Sequence, residues 1–159
     1  MKVLIVCDSE YGNTWKLATE MAAALQPYAD EVVTLKAGEA AGVPLSGYDL
    51  LLVGGPTQGH TVSPRLKTVL EAAPRDSLRG AKALAFDTRM NMMKLLTGSA
   101  ADGIARRLKA LGAEMLMPPE SFLVAGTEGP LEAGEIDRAV YWVHSPQVLG
   151  TLRTPVAVP

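Results

Sequence analysis

Two short runs constrain this chain more than anything else in it: "VLIV" at residues 3–6 and "LLLVGG" at residues 50–55, both apolar without alternation. A strand with one face in water alternates apolar and polar side chains. A strand that does not alternate must be covered on both faces, the situation of a parallel sheet flanked by helices. The chain supplies that cover. From Asn13 to about Leu25 the pattern is helical, with Trp15, Ala18, Ala22 and Leu25 on one face and Pro27 as the stop. "SPRLKTVLEAA" opens a second helix, with Ser63 as cap, Pro64 at the first helical position and Leu66, Val69 and Leu70 as its buried stripe.

Further strands are predicted at Glu31–Leu35 and at "KALAFD" (82–87). A fifth combines Glu114–Met117 with Phe122–Val124, interrupted or ended by Pro118 and Pro119. Residues 101–111 read as a helix with Ile104, Leu108 and Leu111 inward and Arg106, Arg107 and Lys109 on a solvated face. Glu135–His144 reads as the last helix, with Ile136, Ala139, Val140 and Val143 inward. Strands alternating with helices imply an α/β fold with right-handed crossovers. For five strands the commonest doubly wound order is 2-1-3-4-5, with ligands bound beyond the carboxyl ends of the strands where the winding reverses. We expect one domain over residues 1–146 and a C-terminal tail, 147–159, in which "TLRTPVAVP" (151–159) has no clear element.

Composition enters mainly through what it excludes. At 159 residues the chain can build an ordinary core. A net charge of −2 suggests no nucleic-acid partner. No apolar stretch approaches the roughly 18 residues of a membrane span. The run ending at Cys7 is too short for a secretory signal, and Asp8 closes it. The lone Cys7 can form no internal disulfide and reads as a small buried hydrophobe. A cytoplasmic protein is expected, with no metal site.

Attention therefore falls on the loops after Cys7, Val53 and Phe86. The first, "DSEYGNT", places Ser9, Tyr11, Gly12, Asn13 and Thr14 at a helix start. There unpaired amides and the helix dipole favour an anion, and Gly12 lets the backbone take positive φ. A phosphate would be gripped by hydrogen bonds without a cation, and Asp8 and Glu10 should face away from it. Competing motifs fail on spelling. There is no Walker Lys-Ser/Thr, "GGPTQG" is not G-x-G-x-x-G, and Gly54-Gly55 stand where a receiver's acceptor aspartate would end the third strand. A phosphatase loop built on Cys7 would need arginine where Asn13 stands.

"IVCDSEYGNT" resembles the flavodoxin signature, "YDLLLVGGPTQG" with "SPRLKTVLE" resembles that family's third strand, first flavin loop and next helix, and "GAKALAFDTR" its fourth strand and second flavin loop. The resemblance runs to about residue 145. It implies a flavodoxin-like three-layer sandwich with a five-stranded parallel sheet, and FMN as cofactor; the switch-point rule used above has flavodoxin among its own examples. By this resemblance the 5′-phosphate lies at Ser9, Glu10, Tyr11, Gly12, Asn13 and Thr14. The ring lies against Pro56, Thr57, Gln58, Gly59 and His60 on one side and Asp87, Thr88, Arg89 and Met90 on the other. Gly59 would allow the peptide flip by which this family donates an N–H to the flavin N5.

The chain departs from the family's pattern in four places. Cys7 replaces a commonly aromatic residue. Neither flavin loop has a Trp or Tyr to stack on the ring, leaving His60 or Met90, Met92 and Met93 to stand in, unless those methionines are core residues. Arg89 puts a cation in the second flavin loop. At roughly 7 Å and an effective dielectric near 20 such a charge stabilises an anionic reduced ring by on the order of 2 kcal/mol. Finally, the net charge gives little long-range steering toward partners.

The resemblance implies an electron carrier between redox protein partners, a reductase and an acceptor, with no catalytic residue of its own and as a monomer or weak dimer. The alternative is an NAD(P)H-dependent FMN oxidoreductase acting on a quinone or similar acceptor, using His60, Arg89 or Lys94 to orient it. A third reading is a domain that keeps the fold and has lost the flavin.

Overall fold

A computed structural model describes residues 1–153. The elements, in order, are β1 (Lys2–Cys7), α1 (Asn13–Leu25) with a 3-10 turn at Gln26–Tyr28, β2 (Glu31–Lys36), β3 (Leu50–Pro56), α2 (Pro64–Ala72), β4 (Lys82–Met90), α3 (Lys94–Thr97), α4 (Ala100–Ala110), β5 (Glu114–Met115), β6 (Glu120–Val124), α5 (Glu135–Val143) and α6 (Pro146–Leu152). The sheet is parallel throughout and runs β2-β1-β3-β4-β5, with β6 also pairing β4. β5 and β6 are two pieces of one fifth strand. β5 pairs the start of β4 at Lys82–Ala83, and β6 pairs its end at Phe86–Met90. Pro118 and Pro119 lie in the gap, where the ring takes away the ladder's N–H donor.

The missing alternation now has its cause. Leu4, Val6, Leu51, Val53, Ala83 and Ala85 pack on one face against Leu66, Val69 and Leu70 of α2 and Ile104 and Leu108 of α4. Val3, Ile5, Cys7, Leu50, Leu52, Leu84 and Phe86 pack on the other against Leu17, Met21 and Leu25 of α1 and Ala139, Trp142 and Val143 of α5. Phe86, Phe122 and Trp142 meet edge to face, with ring centroids 5.8–6.3 Å apart. Gly54 is the partner of this cluster: a Cβ there would lie 2.2 Å from the Phe86 ring. Burial pushes the Cys7 thiol above its usual range, with Asp8 adding to the effect.

Several local expectations need correction. The buried stripe of α1 is Thr14, Leu17, Ala18, Met21 and Leu25, with Trp15 and Ala22 only half-buried. Ser63 precedes α2, but its hydroxyl makes no cap bond and is buried without a partner. Trp142, not anticipated, is the largest inward residue of α5, and Ile136 and Val140 are only half-buried. The stretch read as a tail begins with α6, whose Val148 and Leu152 are buried in the same core as α1 and α5. Of that tail, residues 154–159 lie outside the described residues. Among the described residues no helix is long and apolar enough to cross a membrane.

Candidate functional site

β1, β3 and β4 end side by side, and the loops that leave them enclose a cleft of about 370 Å³, within the range of small-molecule sites. Ser9, Glu10, Tyr11, Asn13, Thr14, Pro56, Thr57, Gly59, His60, Thr88, Arg89 and Met90 line it. Gly12, Gln58 and Asp87 do not line it, and each has a supporting position instead.

The first loop is organised by Ser9. Its Oγ accepts the amides of Gly12 at 3.1 Å and Trp15 at 3.2 Å, so it caps α1 from three residues before the Gly12 cap position. Gly12 itself, with φ 90°, contributes no side chain. A hydroxyl that accepts twice keeps its own proton to donate. Among the described residues the amides of Glu10, Tyr11, Asn13 and Thr14 have no acceptor. These are the orphan donors a helix start always carries, here gathered at one end of a cleft. Thr14 is 2% exposed and its Oγ1 meets the Thr88 Oγ1 at 2.9 Å, joining the first loop to the end of β4.

Asn13 differs from expectation. Its Nδ2 donates to the Glu128 carbonyl at 3.1 Å, latching the turn after β6 onto the first loop. Gly129 permits the approach, since a Cβ there would stand 2.6 Å from the Asn13 amide. Residues 119–135 read from sequence as a strand and a loop with no function, yet Val124 and Thr127 line the cleft.

The loop after β3 makes a tight reversal. Gln58 and Thr61 exchange two backbone bonds of 3.0 Å around Gly59 (φ 52°) and His60 (φ 68°), the φ signs of a type I′ turn. The peptide between Gly59 and His60 takes no part in these bonds. Gly98 pairs with His60 from the other side, and its lack of a side chain is required: a Cβ would come within 2.5 Å of the His60 carbonyl oxygen.

Asp87 corrects a predicted contact residue. It is fully buried, and its Oδ2 accepts from Thr57 Oγ1 (3.3 Å), Ser99 Oγ (2.7 Å) and the Ala101 amide (3.0 Å). Thr57 Oγ1 in turn accepts the Ala100 amide. The carboxylate thus sits beneath the start of α4 and ties the loop after β3 to the loop after β4 from behind the cleft wall. Its partners stand 30, 12 and 14 residues away in sequence, so no local motif could have disclosed the role.

The charges also sort themselves. Asp8 turns away and pairs with Arg65 at 3.1 Å. Glu10, expected to face away, lines the cleft, with its carboxylate accepting from Gln58 Nε2 at 2.7 Å. Arg89 lines the cleft and, among the described residues, bonds no carboxylate. Its Nη1 donates to the Met92 carbonyl at 2.8 Å, and its Nε is buried with no acceptor.

Met90, Met92 and Met93 are 38%, 47% and 67% exposed, which rules out a core role. With Leu95 and Leu96 of α3, also exposed, they make an apolar rim. Met92, Leu96 and Thr97 add to the lining. Tyr11, 49% exposed, is the single Tyr, Trp or Phe among the described lining residues.

No family model matches the chain, and a search of curated proteins finds no relative. Solved structures do match. The rubredoxin oxygen:oxidoreductase of Desulfovibrio gigas superposes with a TM-score of 0.76 at 18% identity, over 99% of this chain and 37% of that one. Oxidised flavodoxin 1 of Bacillus cereus gives 0.72 at 17% identity, over 96% of this chain and 97% of that one. The flavodiiron protein of Giardia intestinalis gives 0.71 at 20% identity, over 95% and 36%. The chain therefore spans little more than a third of the first and third proteins and nearly all of the second. Likeness at these identities establishes the fold: the chain is flavodoxin-like, in the strand order expected.

Proposed function

We propose that this flavodoxin-like chain binds FMN in the cleft and carries electrons between redox protein partners. The 5′-phosphate is assigned to residues 9–14, and the ring to the space between residues 56–60 and 88–90. The observation that carries the reading is the first loop: four amides without acceptors, with the free proton of Ser9 and the Thr14–Thr88 hydroxyl pair beside them, at one end of a cleft of small-molecule size. Such donors suit a dianion, and no lysine or arginine competes for it there. The residues present fit the cofactor at the other end too. The Gly59–His60 peptide is free of intraloop bonds, and Arg89 brings a cation to the ring end of the cleft.

Bound FMN supplies one- and two-electron chemistry; the protein binds, orients and tunes it. Thr14 and Thr88 hold the phosphate end to β4, while Asp87 holds the two ring-side loops together. A protein partner is supported by the exposed Met90, Met92, Met93, Leu95 and Leu96 at the rim, a surface suited to an apolar contact. The second reading, an NAD(P)H-dependent oxidoreductase for a quinone-like acceptor, draws on His60 and Arg89, which both line the cleft.

The purified protein, reconstituted with excess FMN and desalted, should keep the two visible flavin bands, with the flavin's fluorescence altered. A colourless protein after reconstitution contradicts the proposal. NAD(P)H added alone should leave a carrier yellow until a reductase is supplied; bleaching within minutes would select the second reading.

A further inference from the structure

We infer that Arg89 is the residue that sets the redox poise of the cleft, by holding a permanent cation at its ring end, where charge appears only on reduction. The inference rests on the FMN reading above.

Three observations carry it. First, Arg89 is the one lysine or arginine among the described lining residues, and no carboxylate pairs with it. The two acids nearby are otherwise engaged. Glu10 accepts from Gln58, and the Oδ2 of Asp87 accepts two hydroxyls and the Ala101 amide at the start of α4, while its Oδ1 is buried without a partner. Second, the guanidinium is positioned at the rim of the cleft, where Nη1 donates to the Met92 carbonyl at 2.8 Å. Third, Nε is buried and unpartnered. A buried donor without an acceptor is costly, and the protein offers it none. The protein thus leaves that side of the guanidinium unpaired, its charge is left for what binds in the cleft, and the reduced flavin, being the anion, gains the most from it.

The electron balance is simple. Two electrons and one proton convert the oxidised ring to the reduced anion, and a chemical reductant supplies the electrons. A fixed cation lowers the free energy of the product only. Its removal should therefore shift the ratio of reduced to oxidised flavin, at a given applied potential, by about thirtyfold; for a two-electron couple this is about 45 mV.

The test compares wild type with Arg89→Gln, which keeps a donor for the Met92 carbonyl and loses the charge, and with Arg89→Lys, which keeps the charge. Arg89→Met repeats the neutral substitution without the amide. FMN-loaded proteins are titrated anaerobically against reference dyes across a pH series. In the neutral variants we expect the potential to fall by the stated ratio. The pH at which the reduced ring takes its second proton should rise, and Arg89→Lys should titrate close to wild type. Loaded neutral variants that titrate with wild type overturn the inference while leaving FMN binding intact. So does an equal shift in Arg89→Lys, since charge would then not be the agent. Failure of wild type to take up FMN overturns the reading and this inference with it.

Discussion

The two ends of the cleft use opposite electrostatics. At the first loop the donors are neutral: backbone amides of Glu10, Tyr11, Asn13 and Thr14, and hydroxyls fixed by mutual bonds. At the far end stands a full cation, Arg89, without an acid to balance it, amid exposed methionine and leucine side chains. The difference follows from when charge arrives. A phosphate is anionic whenever it is bound, and a helix start can hold it with dipoles already in place. A flavin ring gains its charge only on reduction, and a standing cation there shifts the equilibrium toward the charged form. The first end governs affinity and the second governs potential.

The largest expected effect on this contrast comes from Asp87→Ala. It leaves Thr57, Ser99 and the Ala101 amide without their common acceptor, and urea denaturation should register a loss of about 3 kcal/mol. The preference for FMN over riboflavin should survive in the folded fraction. Its loss would mean that the two ends are not separable.

Thr14→Val is next. It removes one phosphate donor and the bond to Thr88, so FMN should bind about tenfold more weakly, a change of about 1.4 kcal/mol, with riboflavin affinity unchanged in the same fluorescence titration. Ser9→Ala releases the Gly12 and Trp15 amides and should cost about 1 kcal/mol of stability, as loss of a helix cap does. No measurable change in chemical denaturation would show that Ser9 is not the cap of α1.

A smaller effect, away from both ends, serves as a control. Hydrogen bonding to Arg138 holds the Glu135 carboxyl below its usual range, against some desolvation. A depressed folded value means that Glu135 contributes its full stability above the ordinary carboxylate range. That contribution is lost as the pH falls through the depressed value. Thermal midpoints should decline below about pH 4, and Arg138→Met should flatten that part of the profile without altering FMN affinity at pH 7.

How much of this was legible in the sequence depends on how local the cause is. Both-sided burial of β1 and β3 is written in consecutive apolar residues, so the sheet and its order could be read. The first loop is equally local: Ser9 and the residues up to Thr14 lie within one turn of the helix they start. α6 was missed, although Ser145-Pro146 repeats the Ser63-Pro64 signature that opens α2, because only Val148 and Leu152 mark its buried side. Asp87 was legible as a residue at the right edge of the sheet and illegible as a latch, since Thr57, Ser99 and Ala101 reach it only after folding. The latch from Asn13 to Glu128 and the lining by Val124 and Thr127 depend likewise on how β6 pairs with β4.

The most direct test of the neutral cradle at Ser9–Thr14 is the ratio of FMN to riboflavin affinity, measured by fluorescence titration of the wild-type protein at two salt concentrations. The two ligands differ only in the phosphate. The account predicts that FMN binds at least about a hundredfold more tightly, roughly 3 kcal/mol. It also predicts that the ratio changes little with salt, because the grip comes from short-range neutral donors and not from a formal ion pair that salt would screen. Equal affinities for the two ligands would contradict it.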